Sequence, residues 1–165
     1  MINTHIRTAT PEDMPAVWAM VMELAIYEKA PEQVITSAEQ MVRDGFGEKP
    51  LFYCLVAETE QKEIVGIALY YFAYSTWKGK MLYLDDFVVK AAYRRQNIGE
   101  KLWEALLNIA KTEHAQQMRW HVLDWNVPAI RFYEKIGFVF ISDTFDIAGI
   151  GSHRTMLVRF GIRNE

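Results

Sequence analysis

The chain has 165 residues, 51% of them apolar and 24% charged, with a formal net charge of -3 at pH 7. This predicts one folded domain, 1–165, with a sizeable core and no general disorder. Mild acidity gives no nucleic-acid footprint, the apolar runs are too short and interrupted to span a bilayer, and no signal peptide is visible, so neither nucleic acid nor membrane is an expected partner and the expected location is cytoplasmic. Along the chain, residues 5–8 read as an opening strand. Thr10-Pro11 then starts a helix, Thr10 as cap and Pro11 in the first position. Apolar residues from Met14 to Ala25 continue it at helical spacing. It should stop between residues 28 and 31, because a proline disfavours helix in the residue before it.

A short second helix is expected over 37–42, stopped by Gly45 and Gly47. Residues 51–58, 64–74 and 81–89 read as three strands joined by short polar turns, an antiparallel meander. Helical periodicity returns from Ile98 to about His114. A strand over 118–123 follows, then a helix over 127–136 with Asn126 as cap and Gly137 as stop. Final strands are expected over 138–141 and 155–160. This order belongs to the α+β class, a mixed sheet with helices on both faces. The lone cysteine, Cys54, cannot form an internal disulfide. In the apolar run Phe52-Tyr53-Cys54-Leu55-Val56-Ala57 it reads as a small core thiol.

Three segments carry polar chemistry in unusual settings. In the first, the strand ending Phe87-Val88-Val89 runs through Lys90-Ala91-Ala92-Tyr93-Arg94-Arg95-Gln96-Asn97 into a helix at Ile98-Gly99-Glu100. Helix N-termini offer unpaired amides to phosphate, and two arginines suit a pyrophosphate; an ordinary turn with a solvated basic pair reads equally well. In the second, Asp85-Asp86 interrupts an apolar strand, Tyr83-Leu84-Asp85-Asp86-Phe87. Such a carboxylate can attract an ammonium group or accept its proton, or merely sit on a solvated face. The third is Trp125-Asn126 through Phe132-Tyr133 to Gly137-Phe138. By pattern alone Tyr133 reads as packing and His121 as a strand histidine with a satisfied partner.

Together, in this order, the three segments resemble the GNAT acetyltransferase superfamily. A closer likeness is to the diamine acetyltransferases, the spermidine/spermine and thialysine group. It is carried by Glu23-Leu24-Ala25-Ile26-Tyr27-Glu28, Asp44-Gly45-Phe46-Gly47-Glu48, Tyr70-Tyr71-Phe72, Trp77, Gly79-Lys80, Leu82 to Phe87, Trp125-Asn126 and Phe132-Tyr133. The resemblance implies a GNAT-like, mainly antiparallel twisted sheet, acetyl-CoA as cosubstrate, no metal, and a homodimer. It implies that backbone amides at Phe87, Val88 and Val89 hold the acetyl carbonyl and pantetheine arm. The turn with Arg94, Arg95, Gln96, Asn97, Ile98, Gly99 and Glu100 would hold the pyrophosphate, and Asn126 the pantetheine side. Tyr133 would protonate the departing thiolate, and Asp85 would face the substrate amine. Tyr27 and Glu28, with Arg119, Trp120 and His121, fall at positions lining the amine pocket.

The sequence departs from the group's pattern at three places: Asn97 stands where glycine is usual, Asp85 where glutamate is common, and Arg119-Trp120-His121 does not repeat the pocket chemistry. The implied reaction is direct transfer of an acetyl group to a primary amine of a small cationic substrate (a polyamine, diamine or lysine analogue) in a ternary complex. The alternatives are a protein or peptide acetyltransferase and an inactive CoA-binding regulatory module.

Overall fold

The computed structural model describes residues 1–138, 145–146 and 152–159, with side chains through 138 and at 155–157. The described strands are β1 (Thr4–Thr8), β2 (Tyr53–Thr59), β3 (Ile64–Ser75), β4 (Gly79–Val89), β5 (Gln117–Leu123), β6 (Phe145–Asp146) and β7 (Ser152–Arg159). The helices are α1 (Met14–Tyr27), α2 (Ala38–Phe46), α3 (Ile98–Thr112) and α4 (Val127–Lys135). The strands pair in the order β1-β2-β3-β4-β5-β7-β6. β1–β2, β2–β3, β5–β7 and β6–β7 are antiparallel, and β4–β5 is parallel. The fold is thus α+β with a mixed, mainly antiparallel sheet. The chain forms two compact units, Met1–Tyr71 with Asp86–Asn108, and Phe72–Asp85 with Ile109–Glu165.

In the first unit the two faces of the sheet are read from alternate residues. Cys54 and Val56 of β2 stand opposite Leu69 and Ile67 of β3. All four join Met14, Val17 and Met20 of α1 and Met41 of α2 in one buried cluster. Gly66 points the other way, where a Cβ would lie 2.9 Å from Leu102 Cδ1 and 3.2 Å from Ile98 Cγ2 of α3. Helices therefore cover both faces, and the missing side chain at Gly66 lets α3 sit close.

Local signals set most boundaries. Asp13 accepts from the Thr10 backbone amide at 2.7 Å and its hydroxyl at 3.2 Å, so the start at Thr10 holds, with Pro11–Asp13 forming a single 3₁₀ turn ahead of α1. α1 ends at Tyr27; Lys29 is left-handed and Pro31 opens another short turn. α2 starts on Ser37, whose hydroxyl accepts from Gln40 N. It runs past the expected stop at Gly45 to Phe46. Gly45 is tolerated inside the helix because a Cβ there would lie 2.6 Å from the Phe52 ring, and Gly47 becomes the cap. The expected strand at 155–160 is longer at its front, beginning at Ser152, where β6 pairs with it. The strand expected over 138–141 lies outside the described residues except for Phe138, which is in neither helix nor strand.

In the second unit, β5 alternates buried Met118, Trp120 and Val122 with half-buried Arg119 and His121. α4 ends on a left-handed Gly137, with Phe138 N bonded to Tyr133 O at 2.9 Å. This helix-ending geometry carries Phe138 edge-on to Trp120, 5.4 Å between centroids.

Candidate active site

The basic turn expected to bind phosphate is built in the first unit. β4 ends at Val89, Ala91–Tyr93 forms a 3₁₀ turn, and α3 begins at Ile98. Arg95 and Asn97 both adopt φ of 61°, a left-handed geometry that asparagine tolerates and arginine rarely visits. The turn so formed leads into the N-terminus of α3, and Arg94 and Arg95 are exposed beside it. This arrangement suits an anion. Ile98 is 1% exposed and anchors the helix start in the core. Val88 is buried in the α1/α2 cluster, while Phe87 meets Trp103 of α3 edge-on.

Hydrogen bonds brace this turn, several of them from residues that carry no motif: Glu63, Ile2 and Lys101. Arg94 Nε donates to Val89 O at 3.0 Å. Glu63, from the β2–β3 turn, accepts from Lys90 Nζ at 3.0 Å and from the Tyr93 hydroxyl at 2.6 Å. Those bonds, Tyr93's first, hold the Glu63 carboxyl below its usual range. The backbone amide of Ile2 donates to Gln96 Oε1 at 3.0 Å, and Lys101 Nζ to Thr4 O at 3.2 Å. No sequence motif marks the contacts of Glu63, Ile2 and Lys101, whose partners are 27 to 97 residues apart.

The acidic and tyrosine candidates lie in the second unit. The β4–β5 ladder consists of Met81–Gln117, Leu82–Met118, Tyr83–Arg119 and Leu84–Trp120. Asp85 is the first β4 residue past its end. Its side chain reaches solvent, yet the protein around it raises its carboxyl above the ordinary range by desolvation. A carboxylate so placed is accessible to a ligand and can attract a cation.

Tyr133 is 6% exposed on α4. Its ring is tilted against Trp120 at 5.3 Å between centroids and meets Phe132 at 5.4 Å. Burial pushes the phenol well above its ordinary value, so it keeps its proton at neutral pH. Trp120 is 1% exposed and forms the wall against which Tyr133 packs. Asn126 caps α4, its Oδ1 accepting from Ala129 N at 3.3 Å. His121 is hydrogen-bonded through Nδ1 to the Tyr83 hydroxyl. Tyr27 and Glu28 lie at the end of α1 in the first unit; Tyr27 is 44% exposed and burial raises the Glu28 carboxyl. Trp77 is 91% exposed in the β3–β4 turn. Cys54 is buried, and desolvation, followed by the charge of Asp86, raises its thiol far above its ordinary value, so it is no nucleophile.

With this geometry in place, comparison with known proteins is informative. The family described as "Acetyltransferase (GNAT) family" matches residues 16–138. Thialysine N-epsilon-acetyltransferase of Mus musculus is 42% identical over 144 residues, covering 83% of this chain and 85% of that protein. Spermidine/spermine N(1)-acetyltransferase-like protein 1 of Homo sapiens is 39% identical over 139 residues, 81% of this chain and 20% of that longer protein. The solved structure of a GNAT-family acetyltransferase from Streptococcus pneumoniae superposes with a TM-score of 0.76 at 18% identity, covering 96% of this chain and 100% of that one, which speaks to the fold. The chain belongs to the GNAT acetyltransferase family. Within it, the relatives make it an N-acetyltransferase acting on amines, similar to the thialysine and spermidine/spermine group.

Proposed function

We propose that this chain, as a single domain, transfers the acetyl group of acetyl-CoA to a primary amine of a small cationic substrate, by direct attack in a ternary complex. The observation that carries the reading is that the second unit holds both a solvent-reaching carboxylate, Asp85, and a buried phenol, Tyr133, each raised by desolvation.

The fit to acetyl-CoA rests on the turn before α3. Its left-handed residues, the helix N-terminus that follows and two exposed arginines suit a pyrophosphate. Gln96, Asn97, Ile98, Gly99 and Glu100 complete that turn, and backbone amides at Phe87, Val88 and Val89, with Asn126, serve the pantetheine arm. Bound there, acetyl-CoA supplies the activated acetyl thioester. A primary ammonium loses its proton near a pKa of about 10.4 and cannot attack before then. Asp85 draws the ammonium in, and Asp85, Glu28 or water accepts the proton. Strand amides stabilise the developing oxyanion, and Tyr133 protonates the departing thiolate. Tyr27, Glu28, Arg119 and His121 line the amine side, with Trp120 as its buried support.

Initial-rate kinetics with both substrates varied test direct transfer: intersecting double-reciprocal lines are expected, and parallel lines would indicate a covalent acetyl-enzyme instead. We also propose that the protein works as a cytoplasmic homodimer, on the likeness to the diamine acetyltransferases. Light scattering at micromolar concentration should give twice the chain mass; a monomer would refute the dimer.

A further inference from the structure

We propose that Tyr83 and His121 form a proton relay on the amine side, Tyr83 taking the ammonium proton and His121 receiving the one Tyr83 gives up. The inference rests on the reading above that Asp85 faces the amine; it leaves Asp85 to hold the ammonium and replaces Asp85, Glu28 or water as the proton acceptor. Three observations carry it. First, the Tyr83 hydroxyl and His121 Nδ1 are hydrogen-bonded, with the rings edge-on at 5.5 Å between centroids. Second, both residues are half-buried while their strand neighbours Leu82, Leu84, Trp120 and Val122 are buried, so the pair stands on the opposite face from that apolar layer. Third, Tyr83 precedes Asp85 by two residues on β4, which places them on one face about 7 Å apart along the strand.

An ammonium held by Asp85 is thus within a side chain's reach of the Tyr83 oxygen. In the step itself an N–H bond of the ammonium breaks and its proton joins the Tyr83 oxygen. The Tyr83 O–H proton moves to His121 Nδ1 at the same time. The amine is left neutral with its lone pair free, Tyr83 is unchanged, and His121 becomes an imidazolium that releases its proton to water. Histidine suits the final step because an ordinary imidazole exchanges its proton with water near neutral pH. Around His121, the charged or polar groups facing it from its own and paired strands, among the described side chains, are Tyr83 and Asp85 of β4, Arg119 of β5, and Thr155 of β7 opposite it in register. The positive charge of Arg119 favours discharge of the imidazolium to solvent.

The test is the pH dependence of kcat/KM for thialysine and for spermidine in the intact chain, with Tyr83→Phe, His121→Gln and the double variant. Wild type should show an acid-side limb between about pH 5 and 8, where histidines ordinarily change charge. Each single variant should remove that limb and lower kcat/KM at neutral pH on the order of 100-fold, with the KM for acetyl-CoA unchanged. The double variant should be no worse than either single one, since the two act as a unit. A Tyr83→Phe protein that keeps both limb and rate overturns the relay; so do additive losses accompanied by a raised KM for acetyl-CoA. If His121→Gln fails to fold, Tyr83→Phe decides alone. Asp85→Asn separates the two proposals: a raised amine KM beside a silent Tyr83→Phe rejects only the relay, whereas an unchanged amine KM rejects the reading on which it rests.

Discussion

Arg95 and Asn97, one residue apart, both hold a left-handed backbone immediately ahead of α3, each with φ of 61°. The substitution of asparagine for the glycine usual in the diamine acetyltransferases therefore leaves the turn in the conformation that a glycine would be needed to favour. Asn97→Gly should bind CoA within about threefold of wild type, whereas Asn97→Val should weaken binding at least about tenfold, because a β-branched residue resists positive φ. Gly99→Val should also weaken it. Calorimetric titration of folded variants measures both; unchanged affinity in Gly99→Val would displace the cofactor from this turn.

Tyr133→Phe should cost about 100-fold in kcat, the lower end of general acid catalysis, because a thiol with a pKa near 8.5 leaves fairly well unaided. The ring that packs on Trp120 is retained, so the melting temperature and CoA affinity should stay close to wild type. Steady-state kinetics beside a thermal melt decide the matter, since full activity would make the ring purely structural.

Gly66→Ala should destabilise the protein by about 1–3 kcal/mol, the usual cost of overpacking. The new methyl would lie 2.9 Å from Leu102 Cδ1, 3.2 Å from Ile98 Cγ2 and 3.3 Å from Ala57 Cβ. Urea unfolding reads the stability. CoA affinity should fall with it, because the displaced residues open the helix that the phosphate turn feeds.

Arg7 bonds Asp13 at 2.6 and 3.0 Å and also Glu58. These contacts hold both carboxyls below their ordinary values, side-chain bonds to Arg7 being the largest cause in each. Groups with depressed folded pKa contribute stability above their unfolded values and lose it as pH falls through the folded ones. The melting temperature should therefore drop as pH falls below about 4, and Arg7→Met should be less stable at pH 7 with a shallower acid decline. Parallel curves for the two proteins would remove this cluster from the acid response.

Much of this architecture was legible in the sequence because it is written locally. Thr10-Pro11, Ser37, Asn126 and Gly137 mark helix ends through caps and backbone preferences that act within a few residues. The buried Cys54 and the strand-turn-helix at 87–99 were legible for the same reason. What escaped was set by distant partners. Gly45 reads as a stop until Phe52 is seen against it. Glu63, Ile2 and Lys101 look unremarkable until the turn they brace has formed. The bond from Tyr83 to His121 spans 38 residues and exists only because the parallel β4–β5 register sets their strands side by side. The roles proposed for Asp85 and Tyr133 came from resemblance; desolvation raises both groups.

The central claim is acetyl transfer to a small cationic amine, and a substrate panel tests it most directly. Acetyl-CoA turnover, followed by thiol release, should be compared for thialysine, spermidine, an aminoglycoside and a histone-tail peptide. The account predicts the highest kcat/KM with thialysine or spermidine, and an amine KM that rises in Asp85→Asn while the KM for acetyl-CoA does not. Turnover with the peptide alone, or release of CoA with none of the amines, would contradict it.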